Sequence, residues 1–240
     1  MLFRSSSLAI SFAFITCLIT SPALAEKRLA LVIGNSSYRN VPSLKNPTND
    51  ASDMAASLQR LGFEVIRGID LDYSDMRNVV RRFIEKLPDA TVALMFYAGH
   101  GLQVAGKNYL VPIDAQMKTQ ADLDFASIDL DLVLRSMQAD TRTSIVFLDA
   151  CRDNPLAFNM TRQLGTRSGV FSQGLAQVES GVGTLIAFST QPGNVALDGD
   201  GRNSPFTMAL LKTIEVPGLS LSEVMIEVRN EVLRVTDRRS

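Results

Sequence analysis

An α/β domain with a mainly parallel sheet of about six strands and helices on both faces is the fold class this sequence predicts, on three observations. Short runs such as Leu29-Ala-Leu-Val-Ile33 are apolar at every position, which marks strands covered on both faces. Between them lie segments whose apolar residues recur at helical spacing. Strands and helices then alternate along the chain, the order in which crossover helices build a parallel sheet.

The first 25 residues stand outside that fold. Arg4 supplies a short positive start, residues 8–19 are almost wholly apolar, and Ala23-Leu-Ala25 is an A-x-A cleavage site. This is the layout of a secretory signal peptide, and the apolar run is short for a membrane span, which needs about 20 residues. The expected product is an exported chain, periplasmic or secreted, with no stable membrane insertion after cleavage. Cys17 is discarded with the leader. Cleavage after Ala25 leaves 215 residues with 23 basic and 25 acidic side chains, a formal charge of −2. That balance carries no electrostatic footprint for nucleic acid or an anionic membrane. The length suits one domain, residues 26–240.

After the Leu29–Ile33 run, stopped by Gly34, the residues Ala51, Met54, Ala55, Leu58 and Leu61 repeat at helical spacing until Gly62. Phe63-Glu-Val-Ile66 is a second strand. Met76, Val79, Val80, Phe83, Ile84 and Leu87 form the clearest amphipathic stripe, ended by Pro88. Residues 92–97 make a third strand, and residues 102–111 a small hairpin around Ala105-Gly106. Leu130, Val133, Leu134 and Met137 mark a helix, and residues 145–148 a fourth strand. Residues 156–183 have little periodicity and much Gly, Ser, Thr and Gln, which reads as a long mobile loop. Thr184-Leu-Ile-Ala-Phe188 is a fifth strand. Ser204-Pro205 reads as an N-cap followed by proline at the first helical position. Ser220-Leu-Ser-Glu223 reads as a capping box opening a last helix with Leu221, Val224, Met225, Val228 and Val232 on one face.

The mature chain holds one histidine and one cysteine, His100 and Cys151, each at the end of a strand-like run. A parallel sheet places ligands at the carboxyl ends of its strands, and both residues fall there. The bland reading of Cys151 is a small hydrophobe on a buried strand. Against it, a polar turn follows, Arg152-Asp153-Asn154-Pro155. The bland reading of His100 is a loop histidine without a role, although glycine on both sides suggests a sharp turn or a close approach. A thiol that can lose a proton and an imidazole that can take one are what a cysteine–histidine dyad needs. The two are 51 positions apart, near the roughly 50 by which the histidine precedes the cysteine in caspase-type proteases. Gly34-Asn-Ser-Ser37 lacks the spacing of either glycine-rich phosphate motif, which argues against nucleotide binding.

At these residues the chain resembles the caspase-like cysteine peptidases, nearer to metacaspases and paracaspases than to animal caspases. Tyr97-Ala-Gly-His-Gly101 resembles the family's histidine motif and Asp149-Ala-Cys-Arg152 its cysteine motif. Leu31-Val-Ile-Gly-Asn35 resembles its opening strand, and Asn203-Ser-Pro-Phe-Thr207 the start of the helix after the substrate loop. The resemblance implies a caspase-like three-layer fold, with a p20-like part over about residues 27–155, a linker over about 156–183 and a p10-like part over about 184–240. It also implies that Cys151 is the nucleophile and His100 the general acid–base, with the N–H groups of Gly101 and Cys151 as oxyanion hole and no third member required. Metacaspase and paracaspase pockets carry acidic residues and bind Arg or Lys, and Asp50 and Asp149 match the acidic version. Two carboxylates suit the planar fork of a guanidinium. The plainer readings are a helix N-terminal acid for Asp50 and a turn residue for Asp149.

The resemblance thus implies a cysteine endopeptidase acting on proteins or peptides after Arg or Lys. Two rivals stand beside it: a catalytically silent or zymogen caspase-like module that binds a partner, and a small-molecule domain whose His and Cys are incidental. No cofactor or metal is expected. Asp198, Asp200 and Asn203 lack the spacing of a calcium loop, and calcium activation, found in some metacaspases, is not decided by the sequence. Self-cleavage at Arg162 or Arg167, oligomeric state and completeness of the C-terminus stay open.

Overall fold

A computed structural model describes residues 26–117, 119, 121–151, 171–172, 175, 183–189 and 201–236. The expected leader, the linker loop apart from residues 171–172, 175 and 183, and the arginines at 162 and 167 lie outside the described residues, as do Asp198 and Asp200. The elements in order are β1 (Arg28–Gly34), α1 (Pro47–Arg60), β2 (Glu64–Ile69), α2 (Tyr73–Lys86), β3 (Val92–Val104), β4 (Lys107–Leu110), α3 (Asp122–Ala126), β5 (Ile128–Asp129), α4 (Leu130–Met137), β6 (Thr143–Cys151), β7 (Phe171–Ser172), β8 (Thr184–Phe188), α5 (Pro205–Thr213) and α6 (Leu221–Val235).

Five strands run parallel in the order β2-β1-β3-β6-β8. The end of β3, from Gly101 to Val104, turns into an antiparallel extension with β4 and β7, and β4 pairs β5. The β3–β4 hairpin turns through Ala105 and Gly106, both at positive φ (48° and 80°), as a type I′ connection requires.

The central stretches of β1, β3 and β6 are apolar at successive positions because both faces are covered, and alternation decides which residue meets which helix. Ala30, Val32, Leu94, Phe96, Ile145 and Phe147 pack with Met54, Leu58, Phe206, Leu210, Val224 and Val228 from α1, α5 and α6. Leu29, Leu31, Ile33, Met95, Tyr97, Val146 and Leu148 meet Met76, Val80, Phe83, Val133 and Leu134 from α2 and α4. The result is three layers, helices on sheet on helices. A third apolar cluster, including Tyr38, Leu102, Tyr109, Val111 and Ile113, sits around the hairpin.

Local signals place the helix starts. Asp72 caps α2 by accepting the N–H of Asp75. Ser204 caps α5 with Pro205 in its first turn, and Ser220 and Glu223 close a reciprocal capping box on α6. Among the described residues no helix is long and apolar enough to cross a membrane.

Candidate active site

The parallel pairing of β3 with β6 runs from Val92↔Thr143 to His100↔Cys151, where it ends. The two residues singled out by the sequence are therefore register partners on adjacent strands, which lie about 4.8 Å apart. The apolar runs in residues 92–98 and 145–148 fix that register, since a slip by one residue would turn every core side chain to the wrong face.

His100 is 2% exposed and held on several sides. Its backbone N–H donates to the Tyr38 hydroxyl at 2.7 Å, and its carbonyl accepts from the Tyr97 hydroxyl at 2.7 Å. The Tyr38 ring packs on the imidazole, with centroids 4.4 Å apart and planes inclined by 51°. Nε2 lies 3.2 Å from the Pro42 carbonyl oxygen. A carbonyl only accepts, so Nε2 carries the proton, and in the neutral ring the basic lone pair is then on Nδ1.

The flanking glycines have steric reasons. A Cβ on Gly99, whose φ is +152°, would lie 2.7 Å from the Tyr38 hydroxyl and 2.8 Å from that of Tyr97. A Cβ on Gly101 would lie 2.9 Å from Leu175 Cδ2 and 3.3 Å from Ala150 Cβ.

Asp50 and Asp149, distant in sequence, converge on Ser204. Asp50, in the first turn of α1 and 1% exposed, accepts the Ser204 N–H through Oδ1 at 3.0 Å. Asp149, 8% exposed on β6, accepts the Ser204 hydroxyl through Oδ2, and the Thr207 hydroxyl at 2.8 Å. Ser204 Oγ in turn accepts the Thr207 N–H at 3.0 Å, so one side chain caps α5 and bonds an acid. Asp149 is the register partner of Ala98, on the sheet face that carries α1 and α5. Asp50 is a helix N-terminal acid, as the plainer reading has it, and is also buried against the start of α5.

Sequence reasoning missed Asp53, one turn beyond Asp50 on α1. It holds Arg202 through a forked pair at 2.9 and 3.0 Å and accepts from Asn203 Nδ2 at 3.0 Å. The Arg202 hydrogen bond foremost, with help from Asn203 and the Arg202 charge, holds its carboxyl below the usual range against the opposing effect of burial. The i, i+3 spacing from Asp50 was the available signal. Nothing in the sequence pointed to Tyr38 or to the Pro42 carbonyl.

Among the described residues no group of three His, Cys, Asp or Glu could hold a metal ion. A groove of about 780 Å³, lined by Tyr73, Arg77, Ile84, Phe125 and Leu132 among others, shares no residue with this site.

A parallel α/β sheet that ends on a paired histidine and cysteine, beside two buried carboxylates, defines a candidate cysteine hydrolase. Residues 27–239 match the caspase domain, and the chain belongs to that family of cysteine peptidases. It is also similar to mucosa-associated lymphoid tissue lymphoma translocation protein 1 of Homo sapiens, 34% identical over 134 residues. The match covers 55% of this chain and 16% of that protein. The Mus musculus homolog matches with the same identity and coverage. The chain thus spans about a sixth of the length of these relatives.

Proposed function

We propose that the chain is a cysteine endopeptidase that cleaves after Arg or Lys, with Cys151 as nucleophile and His100 as general acid–base. The observation that carries this reading is the end of the β3–β6 register on His100↔Cys151, with His100 Nε2–H committed to the Pro42 carbonyl. In this reading Nδ1 takes the thiol proton, and the Pro42 carbonyl stabilises the imidazolium that forms. The thiolate attacks the peptide carbonyl carbon, and the N–H groups of Gly101 and Cys151 hold the oxyanion. The tetrahedral species collapses as His100 protonates the leaving amine, which leaves a thioester. His100 then deprotonates water, which attacks the thioester and frees the carboxylic acid and the thiol.

Asp50 and Asp149 supply the acidic pocket. Their shared contact with Ser204 supports one carboxylate-lined site suited to a guanidinium or an ammonium. Export through residues 1–25 belongs to the same reading, and the exported chain would begin at Glu26. N-terminal sequencing of the processed protein checks this; an intact Met1 contradicts it.

Hydrolysis of matched fluorogenic peptides ending in Arg, Lys or Asp, under reducing conditions with and without calcium, tests the reading. Arg or Lys peptides are cut, and Cys151→Ala abolishes the cut. Cleavage after Asp would keep the peptidase and discard the acidic pocket.

A second reading, a silent or zymogen module that binds a protein partner, is favoured by one observation. Both pocket carboxylates are buried and already bonded to Ser204. It predicts no turnover by the wild type, with partner binding unchanged in Cys151→Ala.

A further inference from the structure

We infer that Asp70 is a positioning residue for His100, an inference that rests on His100 acting as the base. Asp70 directly follows β2, and its α carbon takes the left-handed conformation, φ 49°. That conformation aims its carboxylate back along the chain at the start of the β1–α1 loop. Oδ1 accepts the N–H groups of Ser36 at 2.7 Å and Ser37 at 2.9 Å, and Oδ2 accepts the Ser37 hydroxyl at 2.7 Å. Its own N–H donates to the Gly34 carbonyl at 2.9 Å. Three donors on one carboxylate make a charge-assisted clamp, stronger than bonds between neutral groups.

The clamp matters because of what Ser36 does next. Its carbonyl accepts from the N–H of Tyr38 and from that of Leu44, each at 3.0 Å, so both ends of the loop between them fold back on one peptide group. That loop supplies the Tyr38 ring and hydroxyl and the Pro42 carbonyl, three of the groups that hold His100. The path from Asp70 to the imidazole is therefore continuous: carboxylate, Ser36, then the loop residues that set the ring plane and its tautomer. Other contacts keep the loop folded without Asp70. Arg39 N–H donates to the Ile113 carbonyl at 2.8 Å, and Asn40 Nδ2 donates to the carbonyls of Asp114 and Ala115 at 3.1 and 3.2 Å. Loss of the clamp shifts the loop and leaves it folded.

A base displaced by about 1 Å costs up to about 100-fold in rate. Asp70→Gly is the informative variant, because glycine keeps the positive φ without strain and removes only the carboxylate. Asp70→Asn is the conservative rescue, since its amide oxygen still accepts both N–H groups and its NH₂ donates to Ser37 Oγ. Ser37→Ala removes the Oδ2 contact alone. The first readout is the rate of Cys151 alkylation by iodoacetamide at pH 7, located by peptide mass, which needs no substrate. The second is kcat against KM on an arginyl peptide.

Asp70→Gly is expected to lower the alkylation rate and kcat about tenfold with KM unchanged; its unfolding midpoint falls because three charge-assisted bonds are lost, and the chain stays folded at the assay temperature. Ser37→Ala gives a smaller fall in the same direction, and Asp70→Asn returns to within about threefold of the wild type. A rate lowered by His100→Ala but unchanged in Asp70→Gly and Ser37→Ala overturns this inference alone. A rate unchanged in His100→Ala overturns the dyad and this inference with it.

Discussion

The Tyr38 hydroxyl accepts the His100 N–H at 2.7 Å while its ring covers the imidazole, so one side chain does both steric and polar work. Tyr38→Phe separates the two. The ring stays, a buried N–H loses its acceptor, and stability falls by about 1–3 kcal/mol, read by urea unfolding. At the proposed pocket, Asp149→Asn removes a charge and keeps an acceptor for Ser204 and Thr207. KM for arginyl peptides should rise about tenfold or more, with little change in kcat, because a lost ground-state contact acts on binding. An unchanged KM would take Asp149 out of the pocket. His100 and Cys151 were legible in the sequence because each is the one residue of its type after the expected leader. Asp50 and Asp149 were legible through the family resemblance, although their meeting at Ser204 was not. Pro42 could not be found, since it acts through a carbonyl that every residue carries, and Tyr38 is a lone aromatic in a polar loop.

Two serine caps on neighbouring helices serve different ends. Ser220 closes its box on α6 with Glu223 and takes no part in the proposed pocket, so Ser220→Ala should cost about 1 kcal/mol of stability and leave kinetics unchanged. Ser204 caps α5 and also donates to Asp149, so Ser204→Ala should cost about as much and change KM as well. Steady-state kinetics beside thermal unfolding separates the two. Between α1 and the end of α5, Arg60 pairs with Glu215 in a forked contact that draws the Glu215 carboxyl from 4.5 down to about 2. A folded-state value below the unfolded one makes the contribution fully present above about pH 4.5 and lost as the pH falls toward 2. Glu215→Gln should therefore unfold more easily than the wild type near neutral pH, by a small margin for so exposed a pair, and match it near pH 2. The caps and the amphipathic stripe of α2 were readable from spacing, because each repeats a local pattern. α3, with 5 residues, and β5, with 2, are too short to show a period and were not expected.

At the scale of the molecule, the sheet works as a register device. Its alternating faces are set by apolar residues packed on helices, and the same alternation delivers the histidine and the cysteine to the last parallel pair. Core packing and site geometry are thus linked through β3 and β6. Phe83→Ala, at a fully buried position on α2, should cost about 3–5 kcal/mol by urea unfolding. A loss below about 1 kcal/mol would contradict the layer packing described here. The layer arrangement was legible because wholly apolar strands alternate with amphipathic helices. β3 exceeds its expected six residues because parallel pairing carries on through the glycines to His100 and the strand then changes partner into the hairpin, neither of which hydropathy records.

Covalent capture of the proposed nucleophile tests the Cys151–His100 dyad and its acidic pocket most directly. The protein is incubated with a peptidyl-arginyl electrophile and with its aspartyl counterpart, and intact and peptide masses are measured. One adduct is expected, on Cys151, from the arginyl reagent, slowed at least about tenfold in His100→Ala and in Asp149→Asn and absent in Cys151→Ala. Equal labelling by both reagents, or labelling indifferent to His100, would contradict it.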